Sequence, residues 1–314
     1  MGDAKRVVVL ISTYNGEKYI GEQIASILEQ KTKHHIDILI RDDGSNDRTV
    51  SIVASFVDKY QNISFFQGEN IGVVSSYFEL LKKAEDYDYY SFCDQDDYWL
   101  PEKIDTAVKT LEAVKEDIPL LYASPSFVTD GDLNKTGKIT QIERKKIDFY
   151  NTAIQNFCPG HNQVVNHRLA EILRSVEIDP SQVYSQDLWV TNVAAVTGKI
   201  IFDNKPHTLY RMHHDNKLGF GEGNADWIKQ RISRAESHEG AKFSRQLKYF
   251  YSVFSDRLTD EQKEEVQKFL SSQKSFSKRA GYIGKTKFWR QREKENTLFK
   301  LLYLFGGYNI MEKR

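Results

Sequence analysis

The N-terminal third of this chain alternates short apolar runs with segments of helical period, and that alternation restricts the fold more than any other feature. Residues 7–12 (VVVLIS), 36–40 (IDILI), 63–67 (ISFFQ) and 89–93 (YYSFC) read as strands. A continuous apolar run is what a strand covered on both faces requires. Between them, 17–30 places Ile20, Ile24, Ile27 and Leu28 at helical spacing. A second helix follows the polar turn 41–48, with Val50, Val53, Ala54 and Val57 on one face, and 73–84 forms a third. The βαβαβαβ order predicts an α/β fold, a mostly parallel sheet with helices on both faces. Ligands of such sheets sit at the carboxyl ends of the strands. Polar clusters at 12–15, 42–45 and 94–97 all fall at predicted strand ends, which locates a site before any chemistry is considered.

Further along, 103–115 reads as a helix, 120–123 as a strand, and the polar stretch 130–146 as a loop or flap. Helices are expected at 166–175 and 186–196, and strands at 199–202 and 207–212. From about residue 225 the chain becomes helical and charged. A boundary near Gly223, where 220–224 (FGEGN) is turn-rich, divides the chain into 1–223 and 224–314. The formal net charge is zero, so nothing points to nucleic acid. Two isolated cysteines, Cys93 and Cys158, make neither a disulfide framework nor a zinc site, and suit a reducing compartment. The polar first six residues lack a signal peptide's apolar run. No stretch reaches the roughly 18 to 20 apolar residues of a membrane span, so the expectation is a soluble or peripheral protein. The balanced charge hides an asymmetry. Residues 271–314 hold eleven Lys/Arg and three Asp/Glu, 11 − 3 = +8, which leaves −8 for residues 1–270. With Phe288, Trp289, Phe299, Tyr303 and Phe305, this basic end suits either a membrane surface or a C-terminal helix with a solvated basic face.

Three carboxylates in four positions, Asp94, Asp96 and Asp97, repel one another and usually need a cation. Mg²⁺ and Mn²⁺ prefer oxygen ligands and keep room for phosphates. An Asp94/Asp96 pair after a buried strand therefore suits one divalent ion held against a diphosphate. The same residues also suit a solvated acidic turn before a helix. A carboxylate at 42–43 fits the imide N–H of uracil or thymine, and equally a helix N-cap. Ser12, Thr13 and Tyr14 offer hydroxyls and a ring to a base, or form a plain strand-to-helix turn. Asp187 opens a predicted apolar helix, as a general base or as an acid favoured by the helix dipole. Arg211 and His213 suit diphosphate and metal, or a surface loop. Adjacent strand residues face opposite ways, so only one of His213 and His214 should reach a site. Neither GxGxxG nor GxxxxGKS/T occurs, so a dinucleotide oxidoreductase and a P-loop NTPase lack their usual phosphate cradle.

Together, ISTYNGEKYI (11–20), IRDDGSNDRT (40–49), GENIGV (68–73), FCDQDDYWLPEKI (92–104), SQDLW (185–189) and YRMHHDN (210–216) make residues 7 to about 216 resemble the inverting family 2 glycosyltransferases with the GT-A fold. DQDDYW and YRxHxxN are similar to the rhamnosyltransferase branch, which builds bacterial cell-wall polysaccharides from dTDP-L-rhamnose. The resemblance implies a GT-A Rossmann-like sheet with a helical C-terminal extension, a nucleotide-sugar donor, and Mn²⁺ or Mg²⁺ as cofactor. It implies that Ser12, Tyr14 and Asp42 hold the pyrimidine, with Glu17 and Asn70 nearby. Asp94 would touch ribose or metal, Asp96 the metal, and His213 the metal or diphosphate, with Arg211 in support. Asp187 would be the catalytic base. The QxxRW motif of processive members is absent, which implies one addition per encounter.

An oligosaccharide or lipid-linked saccharide acceptor would meet residues 130–146 and 158–162 (CPGHN). The basic tail would then hold the enzyme on the inner face of the cell membrane, in the cytoplasm. A nucleotidyltransferase would show a Gly-rich loop with Arg and Lys near the first strand, and 12–18 has none. A non-catalytic scaffold is disfavoured because every acidic position is filled. A UDP-sugar donor stays open, since thymine and uracil share an imide edge. Linkage and oligomeric state, a homo-oligomer included, stay open too.

Overall fold

The computed structural model describes residues 3–213 and 239–310. The chain separates into two compact units. The first comprises Met1–Ile142, Phe157–Ile178 and Ser185–His213, and the second Glu143–Asn156, Asp179–Tyr184 and His214–Arg314. The boundary expected near Gly223, like His214 and the end of the 210–216 motif, lies outside the described residues.

Among the described residues the first unit holds eleven strands: β1 (Arg6–Thr13), β2 (His35–Asp42), β3 (Ile63–Gln67), β4 (Tyr89–Cys93), β5 (Tyr98–Trp99), β6 (Leu120–Ala123), β7 (Phe127–Thr129), β8 (Lys135–Ile139), β9 (Val164–Asn166), β10 (Lys199–Phe202) and β11 (Thr208–Arg211). The main sheet has the order β10-β6-β9-β4-β1-β2-β3. All its strands run one way except β9, which lies antiparallel between β4 and β6. Its helices are α1 (Ile20–Leu28), α2 (Thr49–Val57), α3 (Val73–Lys83), α4 (Lys103–Glu112), α5 (His167–Ser175) and α6 (Gln186–Thr197). Side chains alternate across β1. Val7, Val9 and Ile11 join Ile20, Ile24 and Ile27 of α1, Val53 of α2 and Ile104 of α4 in one core. Val8 and Leu10 are buried towards the other face, where α3 packs on β1 and on α5 and α6. Each such aliphatic side chain contributes about 1.5–3 kcal/mol by leaving water.

Two expectations need correcting. Helix α2 turns Ile52, Val53, Phe56 and Val57 to the core and leaves Ala54 exposed. The larger Ile and Phe side chains gain more from burial than Ala54, and they set the rotation. The stretch 130–146 is not simply a loop, because it contains β8, which pairs antiparallel with β7 at the edge of a second sheet ordered β5-β11-β7-β8. The sequence of β8, KTGKI, is polar and almost wholly exposed, so no apolar periodicity marks it.

Gly198 ends α6, and a Cβ there would lie 1.8 Å from the Pro119 carbonyl oxygen, which is backbone and cannot yield. Gly198→Ala should therefore destabilise the first unit by about 2–4 kcal/mol, read as a lower urea midpoint. An unchanged midpoint would mean that the α6–β10 turn relaxes freely.

The second unit is helical, with α7 (Glu239–Phe254), α8 (Asp260–Ser272), α9 (Phe276–Ile283), α10 (Glu293–Leu304) and a single turn at Phe149–Thr152. Thr259 and Gln262 form a reciprocal capping box at the start of α8. Most of the aromatic content of the basic end is core here. Phe288, Phe299 and Tyr303 are buried with Phe250, Phe269 and Tyr308. No described helix is long and apolar enough to cross a membrane.

Candidate active site

Parallel register assembles the site. Thr13 stands opposite Asp42, and Ile11 opposite Cys93. The turns after β1, β2 and β4 therefore leave the sheet side by side. Thr13 Oγ1 and Tyr14 N donate to Gln95 Oε1 at 2.6 and 2.9 Å. Asn15 N donates to Ser45 Oγ at 2.8 Å, Gly16 N to Thr49 Oγ1 at 2.7 Å, and Glu17 N to Asp47 Oδ2 at 3.1 Å. Asn15 takes a φ of 47°, a left-handed conformation that Asn tolerates better than most residues.

The residues expected around the base ring the ends of β1 and β2. Tyr14 is 44% exposed. Asn70 is exposed and adjoins Gly44, its backbone N 3.3 Å from where a Gly44 Cβ would stand. Three of the set are already engaged. Ser12 Oγ donates to Ser76 Oγ at 2.7 Å. Glu17 Oε2 accepts from Arg48 N and Nε at 3.0 and 3.2 Å. Asp42 is buried, its Oδ2 accepting from Gly44 N and Ser45 N and its Oδ1 from Ser45 Oγ at 2.5 Å. Asp42 thus shapes its own turn, while a carboxylate retains lone pairs for a further donor. Asp47, two residues before α2, accepts from Thr49 N at 2.9 Å.

The acidic turn follows β4. Tyr77 Oη donates to Asp94 Oδ1 at 2.9 Å. His213 Nε2 lies 2.8 Å from Asp96 Oδ2, and its ring stacks on Tyr19 at 5.1 Å. Burial pushes the Asp96 carboxyl up, the Asp94 charge adds to this, and His213 opposes it. Asp97 is fully buried, and Arg211 N donates to its Oδ1 at 3.3 Å. Strand β11 delivers Arg211, whose guanidinium donates to the Asp96 carbonyl at 3.0 Å and to the Gly131 carbonyl at 2.5 Å, pairs with Glu22 and lies over the Tyr19 ring. Arg211 therefore pins the acidic turn from the side of β11.

His161 is the residue that sequence reasoning left out of the acidic centre. Its Nδ1 faces Asp94 Oδ2 at 3.6 Å and Asp97 Oδ2 at 3.7 Å. Its Nε2 meets Ser126 Oγ at 2.9 Å, and its ring stacks on Tyr210. Burial would lower its pKa, but Asp97 and Asp94 outweigh that and raise it. Lys103, wholly inside, holds this loop by donating to the His161 carbonyl, Asn162 Oδ1 and Thr208 Oγ1 at 2.9, 2.6 and 2.8 Å. Burial lowers its pKa to about 7 against the opposing pull of Asp97 and Asp94.

Asp187 sits in the first turn of α6. Its Oδ1 accepts from Ser185 Oγ at 2.5 Å and Leu188 N at 2.9 Å, and its Oδ2 from Gly160 N at 3.2 Å. Gly160 and His161 are consecutive, so one short loop touches Asp187 at one residue and the acidic centre at the next.

The donor set suits a hard divalent cation. Ligand atoms of Asp94, Asp97 and His161 lie within 4.8 Å of one another, and among the described residues the buried Asp97 Oδ2 accepts no hydrogen bond. Asp96 and His213 offer a second, adjoining pair. Burial, with repulsion from Asp96 and Asp94 and against His161, pushes the Asp97 carboxyl up to about 7. Its folded value exceeds its unfolded one, so its contribution to stability is full below about pH 4 and is lost as pH rises through about 7. In EDTA, Asp97→Asn should thus gain stability over the native chain between pH 5 and 8, read from paired urea midpoints. A gap that stays constant with pH would place Asp97 in the ordinary carboxylate range.

Solved structures show the same architecture. A Staphylococcus aureus TarS fragment in complex with UDP superposes with a TM-score of 0.56 at 18% identity, covering 96% of this chain and 89% of that one. The Pyrobaculum calidifontis mannosyltransferase PcManGT, in complex with GDP-Man and Mn²⁺, gives 0.54 at 17%, covering 97% and 86%. The fold is thus a GT-A α/β fold. In sequence, residues 8–173 match the model for glycosyl transferase family 2. The dTDP-rhamnosyl transferase RfbG of Shigella flexneri is 31% identical over 222 residues, 67% of this chain and 73% of that protein. The chain belongs to glycosyl transferase family 2, and it is a glycosyltransferase that uses a nucleotide-sugar.

Proposed function

We propose that the enzyme transfers L-rhamnose from dTDP-L-rhamnose, with inversion, to a saccharide or lipid-linked saccharide acceptor in cell-wall or capsular polysaccharide synthesis. The observation that carries the catalytic reading is the Gly160–His161 loop, which ties Asp187 to the acidic centre. The rhamnose reading rests on the likeness to RfbG. Asp187 takes the proton of an acceptor hydroxyl, and that oxygen attacks the anomeric carbon. The bond to the diphosphate breaks from the opposite face, the nucleoside diphosphate leaves with the electron pair, and a β-linked donor gives an α-rhamnoside. Asp94, Asp96 and His213, with Asp97 and His161 beside them, would hold Mn²⁺ or Mg²⁺, which would supply positive charge to offset that of the departing nucleoside diphosphate. Ser12, Tyr14, Glu17, Asp42 and Asn70 seat the base, and Arg211 fixes the acidic turn. The enzyme works in the cytoplasm at the inner membrane face.

The test is nucleoside-diphosphate release from dTDP-rhamnose and common UDP-sugars, with Mn²⁺ or Mg²⁺ and then with EDTA. Metal-dependent release from dTDP-rhamnose alone is the expected result. Release from a UDP-sugar instead discards rhamnose and keeps the mechanism.

A further inference from the structure

The mechanism gives no task to one buried charge, Lys103. It is the first residue of α4, and its ammonium lies 4.5 Å from the centre of the Trp99 ring. The acceptors it reaches, the His161 carbonyl, Asn162 Oδ1 and Thr208 Oγ1, are all neutral. An ammonium taken out of water with no carboxylate, among the described residues, in hydrogen-bond contact is a costly way to fill a core. A Met of similar length would pack there more favourably. All three acceptors converge on one segment. His161 and Asn162 belong to the short turn Gly160–Asn162, and Thr208 Oγ1 donates to Asn162 Oδ1 at 2.6 Å. Asn162 passes the constraint on, its Nδ2 donating to the Ser124 carbonyl and Ser126 Oγ at 2.9 and 2.7 Å.

The other end of this turn rests on Asp187. A Cβ on Gly160 would stand 3.3 Å from Asp187 Cβ and from Gln186 Oε1, so the backbone there packs directly against the start of α6. Gly160 N also donates to Asp187 Oδ2. Gln163 Nε2 donates to the carbonyls of Cys158 and Asp187 at 2.8 and 2.9 Å and to Thr191 Oγ1 at 3.0 Å. Lys103 and Gln163 thus fix the turn from two sides. A displacement at Asn162 reaches Asp187 through Gly160, two residues away, and needs no contact with donor or acceptor.

We propose that Lys103 is a positioning residue for the transfer step: by fixing the Gly160–Asn162 turn it holds the Asp187 carboxylate in the orientation that takes the acceptor proton, and it touches neither substrate. The inference rests on the reading of Asp187 as the base. Its test is a double-mutant cycle of Lys103→Met and Asp187→Asn in the full chain. The readout is single-turnover release of nucleoside diphosphate from dTDP-rhamnose, or from the UDP-sugar that the chain accepts, at saturating Mn²⁺ with water as acceptor. Donor affinity is titrated alongside. In the native background Lys103→Met should slow release by about 10–100-fold and leave donor affinity within about threefold. In the Asp187→Asn background it should slow the residual release by less than about threefold, because the group it orients is already gone. The same factor in both backgrounds, no slowing in either, or a slowing matched by an equal loss of donor affinity makes Lys103 a residue of general stability and overturns the proposal. Thr208→Val removes one of the three acceptors and leaves the ammonium two, so it serves if Lys103→Met does not fold. It should show the same pattern on a smaller scale, and a loss that simply adds to that of Asp187→Asn overturns the proposal too. An Asp187→Asn chain that releases at the native rate sinks the base reading and this inference with it, whereas a slow Asp187→Asn chain with an additive cycle sinks this inference alone.

Discussion

Asp187→Asn lowers sugar transfer by about 10³-fold while donor affinity stays within a small factor of the native value. The substitution is nearly isosteric. An Asn oxygen in place of Asp187 Oδ1 keeps the bonds from Ser185 Oγ and Leu188 N, so α6 retains its start. What is lost is the proton acceptor, and a positioned general base contributes about 10²–10⁴-fold. The amide also faces Gly160 N with a second donor where a carboxylate oxygen had accepted. That mismatch shifts the loop slightly and adds a minor term. Single-turnover transfer and donor titration separate the two effects. Normal single-turnover rates would remove Asp187 from the chemistry, and a rate loss matched by an equal loss of donor affinity would make it a structural residue of the loop.

Asp96→Ala should cost about 10²–10³-fold in diphosphate release and raise the Mn²⁺ concentration needed for half activation, because a negative ligand vanishes from a site where charge matching dominates. The same substitution strips His213 of its partner at 2.8 Å. The two histidines make the assignment sharper. If Asp96 and His213 bind the ion, His213→Ala shifts the Mn²⁺ requirement and His161→Ala chiefly loosens the Gly160–His161 loop. If the ion sits between Asp94, Asp97 and His161, the pattern reverses. Mn²⁺ binding followed by electron paramagnetic resonance reads this without turnover. Metal dependence unchanged by Asp96→Ala would dismiss the Asp94/Asp96 reading of the acidic turn.

Much of this arrangement was legible in the sequence because a buried parallel strand writes a continuous apolar run. Runs at 7–12 and 89–93 are of this kind, and both are strands of the main sheet. The polar clusters that follow were correctly placed at strand ends, since parallel strands leave their carboxyl ends on one edge. The signal fails where neither face is dry or the strand is too short. β8 is wet along nearly its whole length, and β9 has three residues, one of them the Asn166 that caps α5. The site was legible where acids are dense, at Asp94–Asp97. It was obscure at His161, which is sixty-odd residues away in the chain and reaches the acids through a loop held by Lys103 and Asn162. No spacing rule joins residues that only tertiary packing brings together.

The position of β9 also dictates an order of events as the chain leaves the ribosome. Strands β3, β2, β1 and β4 can pair once about residue 93 has emerged, since helices α1 and α2 join β1 to β2 and β2 to β3, and α3 carries the chain back across β2 and β1 to β4. β4 then waits with a bare edge, because its outer neighbour is Val164–Asn166 and not the strand synthesised next. β6 cannot dock on β4 by itself, since the three residues of β9 hydrogen-bond to both. Until they arrive, Tyr89–Cys93, buried along its whole length in the finished sheet, presents an open apolar template to any passing strand. A nascent chain stalled in that interval exposes an unpaired apolar edge, and β6 and β10 join the sheet only after β9 has docked.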